Sequence, residues 1–166
     1  MREQLTEKDV ERIEAEIEHR KLVVRKEALE AVKEARAHGD LSENFEYHAA
    51  KKDKNKNESR IRYLERMLRT AEIISEDSAV DEVGLNDTVT LYFEEDEESD
   101  EFRLVTSIRG NSLKNMISIE SPLGKAIQGK KIGDRVLVPV GTGGYYVEIR
   151  EIKKTGDDGS DTIRSY

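Results

Sequence analysis

Two carboxylates three residues apart, Asp40 and Glu43, sit at the one break in a long helical stretch. The segment reads His38-Gly39-Asp40-Leu41-Ser42-Glu43-Asn44-Phe45-Glu46-Tyr47-His48. On a turn that enters a helix, this spacing places both acids on one side. Two chemistries fit. Asp40 or Ser42 can cap the helix N-terminus, with Glu43 or Glu46 completing a capping box and favouring the helix dipole. Alternatively, the pair can contribute oxygens to Mg²⁺. That ion takes about six ligands, and nothing else at this tip completes the shell. A metal served by this pair must therefore be held largely by another molecule. Behind the tip, Lys51, Lys52, Lys54, Lys56, Arg60, Arg62, Arg66 and Arg69 outnumber Asp53, Glu58 and Glu65. Such a stripe can attract phosphates or be an ordinary solvated helix face. Phe45 and Tyr47 could stack on a base, although Tyr47 also fits a helix seam.

The elements that must carry these residues are marked by glycine and proline. Residues 1–83 contain no Pro and one Gly, Gly39, whereas residues 84–166 hold the other ten Gly and both Pro. The first half therefore reads as helix, in two arms at roughly 8–37 and 46–75. Each arm is about 45 Å long at 1.5 Å per residue. On the first arm Val10, Ile13, Ile17, Val24, Ala28, Ala31 and Ala35 form an apolar stripe that Arg20 interrupts. On the second arm Tyr47, Ala50, Ile61, Leu64, Leu68 and Ala71 answer it, with Lys54 and Asn57 in the same seam. This pattern predicts a two-stranded antiparallel coiled coil that weakens towards its tip.

The second half changes period. Residues 88–93, 102–106, 116–119, 136–138 and 145–149 read as short strands. Between the third and fourth lies a short helix with Ser121 as N-cap, Pro122 at its first position and Gly129 as its stop. The run Glu94-Glu95-Asp96-Glu97-Glu98 suits an exposed hairpin loop, and residues 156–161 read as a mobile tail. The fold class is thus α+β. An N-terminal coiled-coil hairpin spans residues 1–77, with its acidic tip at 38–46. A small antiparallel-sheet domain with one short helix spans 78–166.

Composition narrows the function classes. The chain has 166 residues, 39% of them charged and 5% aromatic, a net charge of -8, and neither Trp nor Cys. Absence of Cys excludes disulfides, thiolate metal sites and thiol nucleophiles. The three His are scattered, and no apolar run approaches the roughly 20 residues of a membrane span. Met1-Arg2-Glu3-Gln4 begins no apolar signal core. A soluble cytoplasmic protein is expected. The acidic total argues against broad duplex binding. That total is uneven, with 17 Lys and Arg against 19 Asp and Glu in residues 1–80, but 11 against 17 in residues 81–166.

The tip Gly39-Asp40-Leu41-Ser42-Glu43-Asn44, followed by Glu46-Tyr47-His48-Ala49-Ala50, resembles the signature of the bacterial GreA/GreB transcript-cleavage factors. Leu41 is similar to the GreA form rather than the GreB form. Ser121-Pro122-Leu123-Gly124-Lys125-Ala126, Gly129-Lys130, Gly133-Asp134 and Tyr146-Val147-Glu148-Ile149 resemble that family's FKBP-like domain. The resemblance spans almost the whole chain. It implies a monomeric factor that is not itself an enzyme. Its globular domain would dock on RNA polymerase through a surface including Ser121 and Pro122. Its hairpin would enter the secondary channel and stimulate cleavage of backtracked nascent RNA near the RNA 3′ end. Asp40 and Glu43 would help hold a second Mg²⁺ jointly with the polymerase, and the isolated protein would bind no metal. Ser42 and Asn44 would orient the acids or the water. Lys51, Lys52, Lys54 and Arg60 would guide the extruded RNA. Phe45 departs from the small residue usual in this family, and its ring could pack on the tip, stack on RNA or hinder entry. Two alternatives stand beside this reading. One is a channel-binding regulator without cleavage. The other is a peptidyl-prolyl isomerase-like module, disfavoured by the scarcity of aromatic residues for a proline pocket.

Overall fold

A computed structural model describes residues 2–39 and 44–165. Contacts divide the chain into two units, one built on Asp9–Ala71 and the other on Glu3–Lys8 together with the residues from Glu72 onward. The expected division between residues 77 and 78 differs from this grouping.

The first unit is a helical hairpin. Its first arm comprises α1 (Glu7–His19), a π-helical turn (Arg20–Val24) and α2 (Arg25–Arg36). The backbone stays right-handed helical through Val24 and Arg25, so the arm continues across the wide turn. The second arm is α3 (Phe45–Thr70). No Gly or Pro interrupts either arm, so strong helix formers propagate unbroken. The second arm stops short of the expected residue 75. Ala71 turns to an extended conformation, and Glu72–Ile73 enters a strand.

Ile13, Val32, Ala35, Ile61, Leu64 and Met67 are the buried apolar residues of the hairpin. One position departs from the expected stripe. Ala31 is exposed and Val32 is buried in its place. Ala28 and Ala35 keep their expected places, so the stripe steps by four and then three from Ala28.

Arg20 does not interrupt the seam; it helps to build it. Arg20 Nε donates to Glu16 Oε2 at 2.7 Å, and Arg20 Nη1 donates to Asn57 Oδ1 at 2.9 Å. Asn57 Nδ2 returns a bond to the Arg20 carbonyl at 3.3 Å. From α3, Arg60 Nε reaches Glu16 Oε2 at 2.9 Å and Arg60 Nη2 reaches Glu16 Oε1 at 3.3 Å. Arg25–Glu58 at 3.0 Å and Lys21–Glu65 at 3.4 Å flank the cluster. The pairings run oppositely along the two arms, so the hairpin is antiparallel as expected.

The second unit opens with β1 (Gln4–Leu5), which pairs in parallel with β2 (Glu72–Ile73). Neither strand was foreseen, since two residues carry no readable period. Five further strands form one sheet: β3 (Thr88–Phe93), β4 (Glu98–Val105), β5 (Met116–Ser118), β6 (Arg135–Val140) and β7 (Gly143–Lys153), in the order β5-β4-β3-β7-β6. The five strands match the expected runs. Their pairing is antiparallel except that β5 lies parallel to β4, which corrects a purely antiparallel expectation. Between β4 and β5 the chain folds back through short 3-10 turns at Ser107–Arg109 and Ser112–Lys114, and Asn115 adopts a left-handed φ of 53°. Asn tolerates that conformation better than most residues. The acidic run does form the β3–β4 hairpin turn, at residues 94–97.

Val89 and Leu91 of β3, Leu104 of β4, Val136 and Val138 of β6, and Val147 and Ile149 of β7 form the core with Ile127 of the short helix α4 (Pro122–Ile127). Phe93 packs against Phe102 and Tyr145 with ring centroids 5.8 and 6.0 Å apart.

The tail is anchored, contrary to expectation. Arg109 is fully buried, and its Nη1 donates to Asn86 Oδ1 at 2.7 Å and to Asp161 Oδ2 at 3.0 Å. Asp161 also accepts two 2.9 Å bonds from Arg103. Arg164 donates its backbone N–H to the Ile108 carbonyl at 2.7 Å and its guanidinium to Glu3 at 2.6 Å. The composition of 156–161 suggested disorder, but a buried arginine requires counter-charge, and the tail supplies it.

Two stability predictions follow from these ionic clusters. Asp161→Ala withdraws counter-charge from a buried arginine and should cost about 3 kcal/mol, read as a lower urea midpoint with unchanged slope; an unchanged midpoint would show the tail to be dispensable. For Glu16, burial pushes the carboxyl up, but hydrogen bonds and charge from Arg60 and Arg20 outweigh it and hold it below its ordinary value. A lowered folded-state value gives stability that is present above the unfolded value and lost as pH falls through the folded one. The hairpin's melting temperature should therefore fall on acidification below about pH 4.5. Glu16→Gln should lower it at neutral pH and reduce that dependence, whereas an identical pH profile in the variant would refute the assignment.

Candidate functional site

The closed end of the hairpin is the place where chemistry-bearing residues gather. Asp40, Ser42 and Glu43 lie outside the described residues, as does Leu41. The residues on either side show how the tip is held.

Asn44 caps α3, because its Oδ1 accepts from the Tyr47 backbone N–H at 3.0 Å. Its Nδ2 donates to the Ala35 carbonyl on the opposite arm at 2.7 Å. One amide thus satisfies an orphan donor of α3 and an orphan acceptor at the end of α2. The cap had been expected from Asp40 or Ser42. Asn belongs to the same class of capping residue, and its amide, unlike a carboxylate, can donate and accept at once. Glu46 Oε2 lies 2.8 Å from His38 Nδ1. The His38–Glu46 and Ala35–Asn44 contacts bracket the turn from both arms. Gly39 has φ +118°, a conformation that disfavours any side chain.

Tyr47 is half-buried, and the Arg36 guanidinium lies 5.7 Å from its ring centroid. A hydrogen bond from Arg36, with the positive charges of Lys51, Arg36 and Lys54, holds the Tyr47 hydroxyl below the usual phenol range. Tyr47 therefore sits in the seam and also registers a positive potential behind the tip. Phe45, the first residue of α3, is 86% exposed. Of the three readings its ring allowed, packing onto the described part of the tip is not what the structure shows.

The basic stripe divides. Lys51 and Lys52 are exposed and Lys54 is half-buried. Arg60 is only 6% exposed and binds Glu16 across the seam. It is a structural cation, which removes it from the expected surface stripe. The signal was in the spacing, since Arg60 lies three residues after Asn57, another seam position.

Ser121 and Pro122 belong to the other unit. Ser121 Oγ accepts from the Gly124 N–H at 3.0 Å and donates to the Ser118 carbonyl at 2.6 Å. Pro122 occupies the first turn of α4 and is exposed. A Cβ at Gly124 would lie 2.0 Å from the Ser118 carbonyl oxygen, so only glycine permits this turn.

Among the described residues there is no group of three or more His, Cys, Asp or Glu able to hold a metal, and no helix is long and apolar enough to cross a membrane.

Comparison with known proteins agrees with this geometry. Residues 3–73 match the N-terminal transcription elongation factor model of the GreA/GreB family, and residues 76–154 match its C-terminal model. Transcription elongation factor GreA of Thermoanaerobacter pseudethanolicus is 44% identical over 151 residues, covering 90% of this chain and 96% of the relative. GreA of Streptococcus sanguinis is 41% identical over 152 residues, covering 91% and 95%. The crystal structure of GreA factor homolog 1 of Thermus thermophilus aligns over 93% of this chain and all of that one, with 28% identity and a TM-score of 0.43. With both halves matched in order and relatives above 40% identity along nearly their full length, the chain belongs to the GreA/GreB family of transcription elongation factors.

Proposed function

We propose that this elongation factor binds RNA polymerase, passes its hairpin tip into the secondary channel and stimulates the polymerase's cleavage of backtracked RNA. One observation carries the reading: the sequence places two carboxylates, Asp40 and Glu43, between the arms of an antiparallel hairpin in a GreA/GreB chain. An arm of about 45 Å with acids at its end suits delivery of carboxylates into another molecule's site.

The donor set fits an ion shared with another molecule. Two carboxylates fall well short of the roughly six oxygens that Mg²⁺ takes, and nearby Glu46 is engaged with His38. Mg²⁺ held jointly with the polymerase would supply charge to acidify a water and to stabilise a leaving oxygen.

This chain's residues have separable tasks in that scheme. Asp40 and Glu43 present negative oxygens. Asn44 is committed to the Tyr47 amide and the Ala35 carbonyl, so it positions the turn and leaves any direct orienting of acids or water to Ser42. Lys51 and Lys52, exposed behind the tip, attract the phosphates of the extruded strand, with Lys54 contributing from the seam edge. Arg60 fixes the arms instead. Ser121 and Pro122 lie on the surface that docks on the polymerase.

The test uses backtracked elongation complexes with labelled RNA. The Asp40→Ala, Glu43→Ala double variant should release no short 3′ fragment above the polymerase's own rate while still competing with wild type for the polymerase. Cleavage equal to wild type would sink the mechanism. Binding by wild type that slows elongation without any short RNA would favour a channel-occupying regulator.

A further inference from the structure

We propose that Phe45 is a base-stacking residue that positions the extruded RNA, an inference that rests on the function proposed above. A phenyl ring 86% exposed at the first position of a helix does not pack on the described residues. The other aromatic residues near it are engaged: Tyr47 with Arg36 at 5.7 Å and with the His48 ring at 5.5 Å. Among the described aromatic residues near the tip, Phe45 presents an exposed face.

Its surroundings fit a nucleotide better than an apolar protein wall. Phe45, Ala49, Lys52 and Lys56 follow one another at steps of four, three and four along α3, and all four are exposed. That spacing places them on a single line of the helix surface, about 16 Å long. The line offers an aromatic face, a small residue that leaves room above it, and then two cations. A base on the ring would have its backbone running over Ala49 towards the lysines. Aromatic faces accept any base, because every base has a π-face, and lysines hold phosphates without reading sequence. An apolar docking site would instead continue the ring with further large aliphatic side chains, whereas this line continues with Ala49 and two lysines.

The experiment uses backtracked complexes whose RNA 3′-terminal base is 2-aminopurine, whose emission is quenched by stacking. Wild type should quench the emission and Phe45→Ala should not. Phe45→Ala should lower the cleavage rate about tenfold, within the range expected for losing one base–aromatic stack. Phe45→Trp should retain cleavage and Phe45→Leu should behave like the Ala variant. Wild-type cleavage by Phe45→Ala would overturn the proposal, and so would wild-type cleavage by Phe45→Leu, which would assign the ring to apolar contact with protein. If wild type released no short RNA, the function above would fail by itself. Stacking would then be decided by the emission alone, with quenching lost in Phe45→Ala supporting it and unquenched emission with wild type refuting it.

Discussion

The register of the hairpin depends on one polar cluster, Glu16, Arg20, Asn57 and Arg60. An apolar seam of Ile, Leu and Ala alone could pair in more than one register. A carboxylate flanked by two guanidiniums, with an amide bonded to the first arm's backbone, is satisfied in one alignment only. Buried ion pairs add little net stability, because desolvation offsets most of the attraction, but they penalise misalignment heavily. This alignment brings Ala35 opposite Asn44 and so sets where the tip begins. The π turn belongs to the same solution. It places the Arg20 carbonyl where Asn57 can reach it.

The globular unit solves a comparable problem with its own tail. Arg109 is buried among Asn86, Thr106 and Asp161, and Arg103 shares the same carboxylate. The family match ends at residue 154, so the segment holding Asp161 lies beyond it. Both units thus place arginine inside and surround it with acceptors. The domain's acidic excess is partly structural, since Asp157 and Asp161 are counter-charges to buried or half-buried cations and not a solvated fringe.

Much of the architecture was legible because its signals are periodic. Gly39 in an otherwise Gly- and Pro-free stretch marked the hairpin, alternation marked five strands, and Ser121-Pro122 marked the start of α4. What escaped notice is aperiodic or depends on partners distant in sequence. Strands β1 and β2 are two residues each. Arg20 looked like a defect, and Arg60 like surface charge, because the acceptors they need, Asn57 and Glu16, lie on the opposite arm. The parallel pairing of β5 depends on the 3-10 turns before it. At the tip, the carboxylate pair was readable from residue type and spacing, and the Asn44 cap was missed because Asp40 and Ser42 are equally good caps in isolation. The family resemblance, not geometry, connected those acids to polymerase.

The account's central claim is that the arms deliver the tip acids to a fixed depth, so a direct measurement moves the acids without removing them. One heptad deleted from each arm, between the Arg25–Glu58 pair and the tip, would shorten the hairpin by about 10 Å and leave the polar cluster and the tip sequence intact. Helix content by circular dichroism would verify that the arms still form. Cleavage of backtracked RNA would then be measured beside competition for the polymerase. The account predicts that binding persists and stimulated cleavage is lost. Wild-type cleavage by the shortened factor would contradict it.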